Sequence, residues 1–250
     1  MGKRANRVPK TEFDTLLTEA TEINKFNMLS RTEDRLKEIK LTQKQKLLFE
    51  LIEENEIISV TGPAGTSKTF MAIYAGLHFL YKYKNNKIFL TKPIVEAGEK
   101  LGFLPGETRD KVDPYLQSYV DLFNEIIGKD ITKRLFETQR VEFEPVAYMR
   151  GRNLVDSFII IDEMQNFTMS QLMTLVTRKN YSSKIILLGD TLQNDKDPKR
   201  AGKPLEFIEH ILKPIRSKVA HFEFDLSDMM RDKIIINLIE NYQTYLNNKK

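Results

Sequence analysis

A short β-branched stretch runs directly into a glycine-containing turn and then into an apolar helical stretch, starting at Ile57. A turn of this kind, closed by Lys68 and Thr69, is typical of a phosphate-binding loop between a buried strand and a helix. Backbone N–H groups would wrap the β- and γ-phosphates, the lysine would add a charge, and the threonine hydroxyl would reach Mg²⁺. The following helix would direct its positive N-terminal end at the anion. The segment predicts a nucleoside triphosphate site, the alternative being a strand-to-helix turn without a ligand.

The residues predicted to contact the nucleotide are consecutive: Gly62, Pro63, Ala64, Gly65, Thr66, Ser67, Lys68 and Thr69. The usual spacing, G-x-x-x-x-G-K-[ST], has a glycine where this chain has Ser67. Serine still offers its backbone N–H, but it places a Cβ where the chain is tight. Ser67 is therefore the one departure of this loop from the usual pattern.

Composition bounds the class of protein. The chain has 250 residues, 41% hydrophobic and 30% charged, which suits one globular domain with an extension. A net charge of +4 permits nucleic-acid binding without requiring it. The absence of cysteine and the presence of only three histidines argue against disulfides and zinc. Because we find no secretory signal and no apolar run near the ~18 residues of a membrane span, we expect a cytoplasmic protein without membrane contact.

Strand and helix patterns alternate along most of the chain, which predicts an α/β domain, a three-layer sandwich with a mostly parallel sheet. The predicted strands are Ile57–Thr61, Lys87–Thr91, Val141–Phe143, Ser157–Ile161, Lys184–Leu188 and Val219–Phe224. The predicted helices are Thr42–Glu54, Lys68–Tyr83, one starting at Asp113-Pro114, one capped by Thr168 and running to about Arg178, and one capped by Ser227 and running to about Leu246. Residues 1–40 are basic and charged, and we expect a helical extension there.

A buried aliphatic strand is predicted to end in a carboxylate pair, Asp162 and Glu163. The carboxyl ends of parallel strands meet at the sheet edge where the phosphate loop also lies. Asp162 can hold Mg²⁺ from the side opposite Thr69, directly or through water. Glu163 is then placed to orient or deprotonate the attacking water. An ordinary pair of surface carboxylates is the alternative.

Two amides are further candidates for ATP contacts. Gln193 follows the strand that ends near Asp190, and its amide could contact the γ-phosphate or the attacking water. Asp190 itself is interpreted as organising that loop, a plain turn being the alternative. Gln45 lies in the helix before the first strand, where its amide could read the adenine edge by paired hydrogen bonds or simply face solvent.

With these residues identified, the chain resembles the PhoH family of ATPases from about Leu41 to Tyr245. Four segments carry the resemblance: TKPIVEAGEKLGFLPG (residues 91–106), AYMRGR (147–152), DEMQN (162–166) and GDTLQ (189–193). The family usually has glycine at the position of Ser67 and arginine at the position of Lys92. Lysine keeps the positive charge there, but it lacks the planar guanidinium group with which arginine makes two parallel hydrogen bonds to one partner.

The resemblance implies a RecA-like P-loop NTPase domain over residues 41–250, similar to the first motor domain of superfamily 1 helicases. By that likeness the catalytic residues include Lys68, Glu163 and Gln193, and the metal ligands are Thr69 and Asp162.

The segment that ends in Arg231 resembles the one whose arginine approaches the γ-phosphate in those helicases. A cation is needed there because charge spreads over the phosphoryl oxygens in the transition state. Arg178 is the rival catalytic arginine, and a plain surface arginine is the alternative for Arg231.

Superfamily 1 helicases close the ATP cleft between two motor domains, whereas about 210 residues provide one domain here. An arginine donated across the cleft accelerates phosphoryl transfer by ~10³-fold or more. A single domain must borrow this arginine from a neighbour or do without it. We therefore expect a homo-oligomeric ring, a hexamer, and the resemblance points the same way.

The loop over residues 96–109 follows the second strand, and in superfamily 1 enzymes the corresponding region touches single-stranded nucleic acid. Basic side chains near it could contact phosphates and aromatic ones could stack on a base. These residues are Lys92, Lys100, Phe103, Arg109, Tyr148, Arg150 and Arg152. Solvated charges and a core phenylalanine are the alternative, and the resemblance favours RNA over DNA.

The predicted function is Mg²⁺-dependent hydrolysis of ATP, coupled to single-stranded nucleic acid. The alternative is an interaction protein that turns ATP over slowly and uses nucleotide state to control assembly. A small-molecule kinase is a third class, for which the sequence shows no arginine-rich lid segment and no acceptor pocket.

Overall fold

The strands form one open parallel sheet. The computed structural model describes residues 30–83, 86–93, 108–146, 149, 153–190 and 206–247. The six strands are Ile57–Thr61 (β1), Lys87–Thr91 (β2), Val141–Phe143 (β3), Ser157–Ile161 (β4), Lys184–Gly189 (β5) and Val219–Glu223 (β6). They lie in the order β3-β2-β4-β5-β1-β6, and every neighbouring pair is parallel. The predicted parallel α/β fold is confirmed, with strand ends within one residue of the prediction.

Helices connect the strands. They are residues 30–38 (α1), Gln43–Glu54 (α2), Lys68–Lys82 (α3), Thr108–Ile127 (α4), Lys129–Glu137 (α5), Met169–Val176 (α6) and Lys233–Asn247 (α7). A π-helical segment, Phe207–Leu212, and two 3₁₀ turns, Met164–Asn166 and Leu226–Asp228, complete the described elements. The sequence did not predict α5 or the π-helical segment, because segments this short depend on tertiary packing more than on propensity.

Helix α4 starts earlier than predicted. It begins at Thr108, so the prediction of a start at Asp113-Pro114 is wrong and the proline lies inside the helix. A proline within a helix costs about 3 kcal/mol or more, because it lacks an N–H and its ring meets the preceding turn. Burial of Tyr119 and Phe123 offsets this cost, since a buried large apolar side chain contributes roughly 1.5–3 kcal/mol.

The last helix begins at Lys233, and the prediction that Ser227 caps it is wrong. Asp225 instead caps the 3₁₀ turn Leu226–Asp228, and its carboxylate accepts a hydrogen bond from the Ser227 N–H at 2.8 Å. Lys44 of α2 donates to the same carboxylate at 2.8 Å. A charged carboxylate is a stronger acceptor than a hydroxyl, so Asp225 caps this short turn and Ser227 lies within the turn instead of capping the last helix.

Alternate residues of the central strands fill two separate cores. In β4, Phe158 and Ile160 pack with α2, α3, α4 and α5, whereas Ile159 and Ile161 pack with α6 and the π-helical segment. All four side chains are buried, which is the pattern of a parallel strand covered on both faces. The predicted three-layer sandwich is confirmed.

The predicted extension over residues 1–40 lies outside the described residues up to residue 29. Residues 30–38 are helical, and Leu36 is buried in the core on the α3 side of the sheet. Within the described segments, no helix has both the length and the apolarity to cross a membrane.

The strand register fixes the edge that carries the site. Thr61 at the end of β1 pairs with Gly189 at the end of β5, and Ile161 at the end of β4 pairs with Leu187. The segments that follow β1, β4 and β5 therefore leave the sheet side by side. In open parallel sheets, ligands bind in the crevice at this edge.

Candidate active site

Two glycines give the loop after β1 its shape. Gly62 has φ +144°, and a Cβ there would lie 2.6 Å from the carbonyl oxygen of Phe224. Gly65 has φ +84°, in the left-handed region that side chains rarely adopt. The turn therefore depends on glycine at both positions, and it leads directly into α3 at Lys68.

Ser67, the departure from the usual loop pattern, also adopts a left-handed conformation, with φ 63° and ψ 21°. Its hydroxyl donates to the Thr66 carbonyl at 2.6 Å and accepts from Gln45 Nε2 at 2.8 Å. A left-handed residue with a Cβ costs about 1–2 kcal/mol, and each hydrogen bond returns about 0.5–1.5 kcal/mol. These two contacts are sufficient to hold a serine where glycine is usual.

The strain at Ser67 leads to a prediction on stability. Ser67→Gly and Ser67→Ala both remove the hydroxyl, and only the alanine variant keeps a Cβ in the left-handed region. We expect the glycine variant to have the higher free energy of unfolding, by about 1 kcal/mol. Urea unfolding of the two variants measures this difference. An alanine variant as stable as the glycine variant would contradict the left-handed conformation.

The amine of Lys68 is folded back onto the phosphate loop. Its Nζ donates to the carbonyl oxygens of Gly62 at 2.7 Å and Pro63 at 2.6 Å. Burial lowers the pKa of Lys68, and the nearby carboxylates of Asp190 and Asp162 partly oppose this shift. The lysine is thus held at the loop by two neutral carbonyl oxygens. Charged phosphate oxygens are stronger hydrogen-bond acceptors and could replace them.

The two predicted metal ligands, Thr69 and Asp162, are in contact. The Thr69 hydroxyl donates to Asp162 Oδ2 at 3.2 Å. Both supply oxygen, which suits Mg²⁺, an ion that uses one or two protein groups and takes the rest from phosphate and water. Among the described residues, no group of three or more histidines, aspartates or glutamates is placed to hold a metal ion.

Tyr119 of α4 also contacts Asp162. Its hydroxyl donates to Asp162 Oδ2 at 3.0 Å, while Oδ1 accepts from the backbone N–H of Glu163 at 2.9 Å. Burial, together with the charge of Asp162, raises the pKa of Tyr119 well above its ordinary value, so the phenol remains a donor. Tyr119 was not predicted from the sequence, because no local motif marks a contact made from a distant helix.

Glu163 is held in a strained conformation beside Asp162. Its φ is 58°, and strained residues of this kind cluster at functional sites. Burial, with the charge of Asp162, raises the pKa of Glu163, whereas Lys92 opposes the shift.

Gln165 connects Glu163 to the end of β5. Its Nε2 donates to Glu163 Oε2, and its Oε1 accepts from the backbone N–H of Asp190 at 3.0 Å. No role was predicted for Gln165 from the sequence, although this residue lies in the DEMQN segment that carries the resemblance.

Most of the residues just described line one cleft of about 250 Å³. Its lining includes Lys68, Thr69, Asp162, Glu163, Gln165 and Asp190. A cavity of similar size, about 260 Å³, lies between α2 and α3 and holds none of the predicted site residues. The lysine and the two carboxylates that were singled out in the sequence therefore meet at a single place.

Gln45 is close to the loop but turned into the protein. Its side chain is 5% exposed, with Nε2 bonded to Ser67 and Oε1 accepting from the Thr42 N–H at 2.9 Å. An adenine contact by this amide stays a prediction, and it would require both bonds to be exchanged.

The two candidate arginines lie at different edges of the sheet. A Cβ on Gly65 would be 3.1 Å from Cγ and 3.3 Å from Nε of Arg231, and the neighbouring Met230 N–H donates to the Gly65 carbonyl at 3.0 Å. Arg178 follows α6, and its carbonyl accepts from the N–H of Leu154, which precedes β4. Arg231 thus touches the phosphate loop of its own chain, whereas Arg178 lies toward the opposite edge.

Other predicted contacts lie outside the described residues. These are Gln193, Lys100, Phe103, Tyr148, Arg150 and Arg152. Lys92, another member of the nucleic-acid set, directly follows β2. Its Nζ lies 5.1 Å from the ring centre of Tyr115 and 5.2 Å from that of Tyr119.

Comparison with known proteins gives consistent relatives. The profile of a family described as PhoH-like protein matches residues 38–243. The PhoH-like protein of Bacillus subtilis is 40% identical over 201 residues, which cover 80% of this chain and 62% of that protein. The PhoH-like protein of Synechocystis is 38% identical over 202 residues, covering 81% and 61%. The chain therefore spans about three-fifths of the length of these curated relatives.

Solved structures show more distant similarity. The Hef helicase domain of Pyrococcus furiosus matches 72% of this chain and 37% of its own, with 13% identity and a TM-score of 0.41.

Proposed function

Because the chain belongs to the PhoH-like protein family, we propose that it hydrolyses ATP with Mg²⁺ and couples hydrolysis to single-stranded nucleic acid. RNA is the favoured nucleic acid, and a hexameric ring is the proposed assembly. The observation that carries the proposal is the meeting of Lys68 with the carboxylates of Asp162 and Glu163 in one cleft beside a P-loop.

Each residue of the cleft has a role in the proposed reaction. Thr69 and Asp162 would hold Mg²⁺, which when bound supplies charge neutralisation at the β- and γ-phosphates. Lys68 exchanges its loop carbonyls for phosphate oxygens, and the N–H groups of the loop bind the same anion. Glu163 accepts a proton from the attacking water, and Gln165 holds the carboxylate in position.

Replacing Lys68 tests nucleotide binding directly. In Lys68→Ala we expect ATP affinity to fall about 10- to 100-fold, since a hydrogen bond to a charged group contributes roughly 1.5–3 kcal/mol, and hydrolysis to be lost. Calorimetric titration with Mg·ATP measures the affinity. Lys46→Ala is the matched control, because it removes an equal charge from an exposed position of α2. Wild-type affinity in Lys68→Ala would contradict the proposed site.

Nucleic-acid binding is proposed from the position of Lys92 and from the family resemblance. Lys92 lies where β2 ends, at the same edge of the sheet as the cleft. Titration with single-stranded RNA and DNA over a salt series tests this, because binding dominated by phosphate contacts weakens steeply as salt rises. An affinity that does not change with salt concentration, or no detectable binding, would contradict the proposed nucleic-acid contact.

The ring is proposed from the family resemblance and because the described residues form one motor domain, whereas superfamily 1 helicases close the ATP cleft between two. Size-exclusion chromatography with light scattering, with and without nucleotide, tests it. A strictly monomeric chain with full activity would refute the ring.

A nucleotide-controlled assembly protein with slow turnover is the second candidate. The strain at Ser67 favours it, because the departure lies in the loop that must cradle the phosphates. Tight ATP binding with no measurable hydrolysis, in the presence and absence of RNA, would select this candidate over the ATPase.

A further inference from the structure

Asp162 accepts a hydrogen bond from α4, a helix that belongs neither to the P-loop segment nor to the strand that ends in the carboxylate pair. Tyr119 lies in the middle of α4, is 2% exposed, and donates to Asp162 Oδ2 at 3.0 Å. Its hydroxyl is therefore a fixed neighbour of the proposed metal ligand.

The ring of Tyr119 has little freedom to leave this position. It packs against Phe143 of β3, with ring centres 5.5 Å apart. Lys92 Nζ lies 5.2 Å from its centre on the strand-β2 side. Because these contacts fix the ring, they also fix the direction in which the hydroxyl points.

Three donors from separate segments determine the orientation of the Asp162 carboxylate. Thr69 and Tyr119 donate to Oδ2, and the backbone N–H of Glu163 donates to Oδ1. Thr69 is itself a proposed metal ligand, so its bond to Asp162 must adjust when the cation binds. Tyr119 is the side-chain donor that can remain on Asp162 throughout.

We infer that Tyr119 is a positioning residue, which holds the Asp162 carboxylate in the orientation that binds the divalent cation of the nucleotide. The inference rests on the proposed function, because it concerns the same cleft. Groups that hydrogen-bond a metal ligand typically contribute 10- to 100-fold in metal affinity or activity. The contribution of Tyr119 should therefore appear in the Mg²⁺ dependence of nucleotide binding.

The test is a titration with a fluorescent ADP analogue, with Mg²⁺ and with EDTA, on wild type, Tyr119→Phe and Tyr115→Phe. Tyr115 is a matched control, because it lies one turn earlier in α4, under the same Lys92 amine. Phenylalanine keeps the ring, so the packing on Phe143 persists.

In wild type and Tyr115→Phe we expect Mg²⁺ to strengthen binding by the same factor. In Tyr119→Phe we expect that factor to fall about tenfold, while affinity in EDTA stays within about twofold of wild type. The EDTA value reports an intact P-loop, so a folding defect would be seen separately.

Three contrary results are distinguishable. If Tyr119→Phe keeps the full Mg²⁺ effect of wild type, the inference is wrong and the proposed function stands. If wild type itself binds no nucleotide, or binds without an Mg²⁺ effect, the metal-dependent function and the inference are both wrong. A loss of affinity in Tyr119→Phe that is equal in EDTA and in Mg²⁺ would show a structural role and overturn the inference.

Discussion

Glu163→Gln should bind Mg·ATP as wild type does and hydrolyse it about 10²- to 10⁴-fold more slowly, the range that a general base contributes. Glutamine has nearly the same shape, and it cannot accept the proton of the attacking water. Steady-state release of phosphate measures the rate, and calorimetry measures the affinity. Both should be measured with and without single-stranded RNA, because stimulation by RNA could otherwise hide part of the loss.

Retained binding follows from the positions of the neighbouring groups. In the proposed site Lys68 and the loop N–H groups would contact the phosphates, whereas Glu163 lies at the end of β4 and is held by Gln165. Glu50→Gln is the matched control, since Glu50 is exposed on α2 and the same chemical change is made there. Hydrolysis at the wild-type rate in Glu163→Gln would exclude this carboxylate as the base. Loss of binding would assign it to the nucleotide or metal instead.

The sequence predicted the sheet well because each strand carries its own signal. In β4 the run Phe158 to Ile161 is apolar at every position, which occurs when both faces of a parallel strand are covered. The loop after β1 and the carboxylates after β4 were predicted to meet because parallel strands end at one edge. These inferences need only local pattern and one rule of topology.

Helix boundaries were predicted less well because competing interactions decide them. Pro114 is a good first residue for a helix, but α4 begins six residues before it, at Thr108. Ser227 is a good cap, but Lys44 and Asp225 come together from positions 181 residues apart and stabilise a different turn. Contacts of this kind are invisible in a window of sequence.

The same reason accounts for the contacts within the site that the sequence did not predict. Tyr119 reaches Asp162 across 43 residues of chain, and Gln45 reaches Ser67 across 22. The predicted role of Gln45 was drawn from its position along the chain alone, and its side chain is bonded to the P-loop serine instead of facing open space. Residue type and spacing identify candidates for chemistry, whereas the groups that orient them are set by tertiary contacts.

Arg231→Ala should lower the rate of ATP hydrolysis by ~10³-fold, the lower range for an arginine that stabilises charge on the transferred phosphoryl group. Affinity for Mg·ATP should change by less than about tenfold, because much of this charge develops only in the transition state. The hydrolysis rate of Arg231→Lys should lie between those of wild type and Arg231→Ala. Lysine keeps the charge and part of the aliphatic chain beside Gly65, but it loses the planar guanidinium group. Single-turnover hydrolysis at saturating ATP isolates the chemical step.

A mixing experiment separates an arginine acting within its own chain from one donated to a neighbour. Arg231→Ala subunits keep Glu163, and Glu163→Gln subunits keep Arg231, so mixed oligomers regain hydrolysis only if the arginine crosses between chains. Because Arg231 lies against Gly65 of its own P-loop, we expect no recovery beyond the sum of the two variants. If hydrolysis instead recovers in proportion to the number of contacts between the two kinds of subunit, the arginine completes the site of the adjacent subunit. Arg178→Ala, measured beside it, should leave the rate near wild type, since the chain carries that residue toward the opposite edge of the sheet.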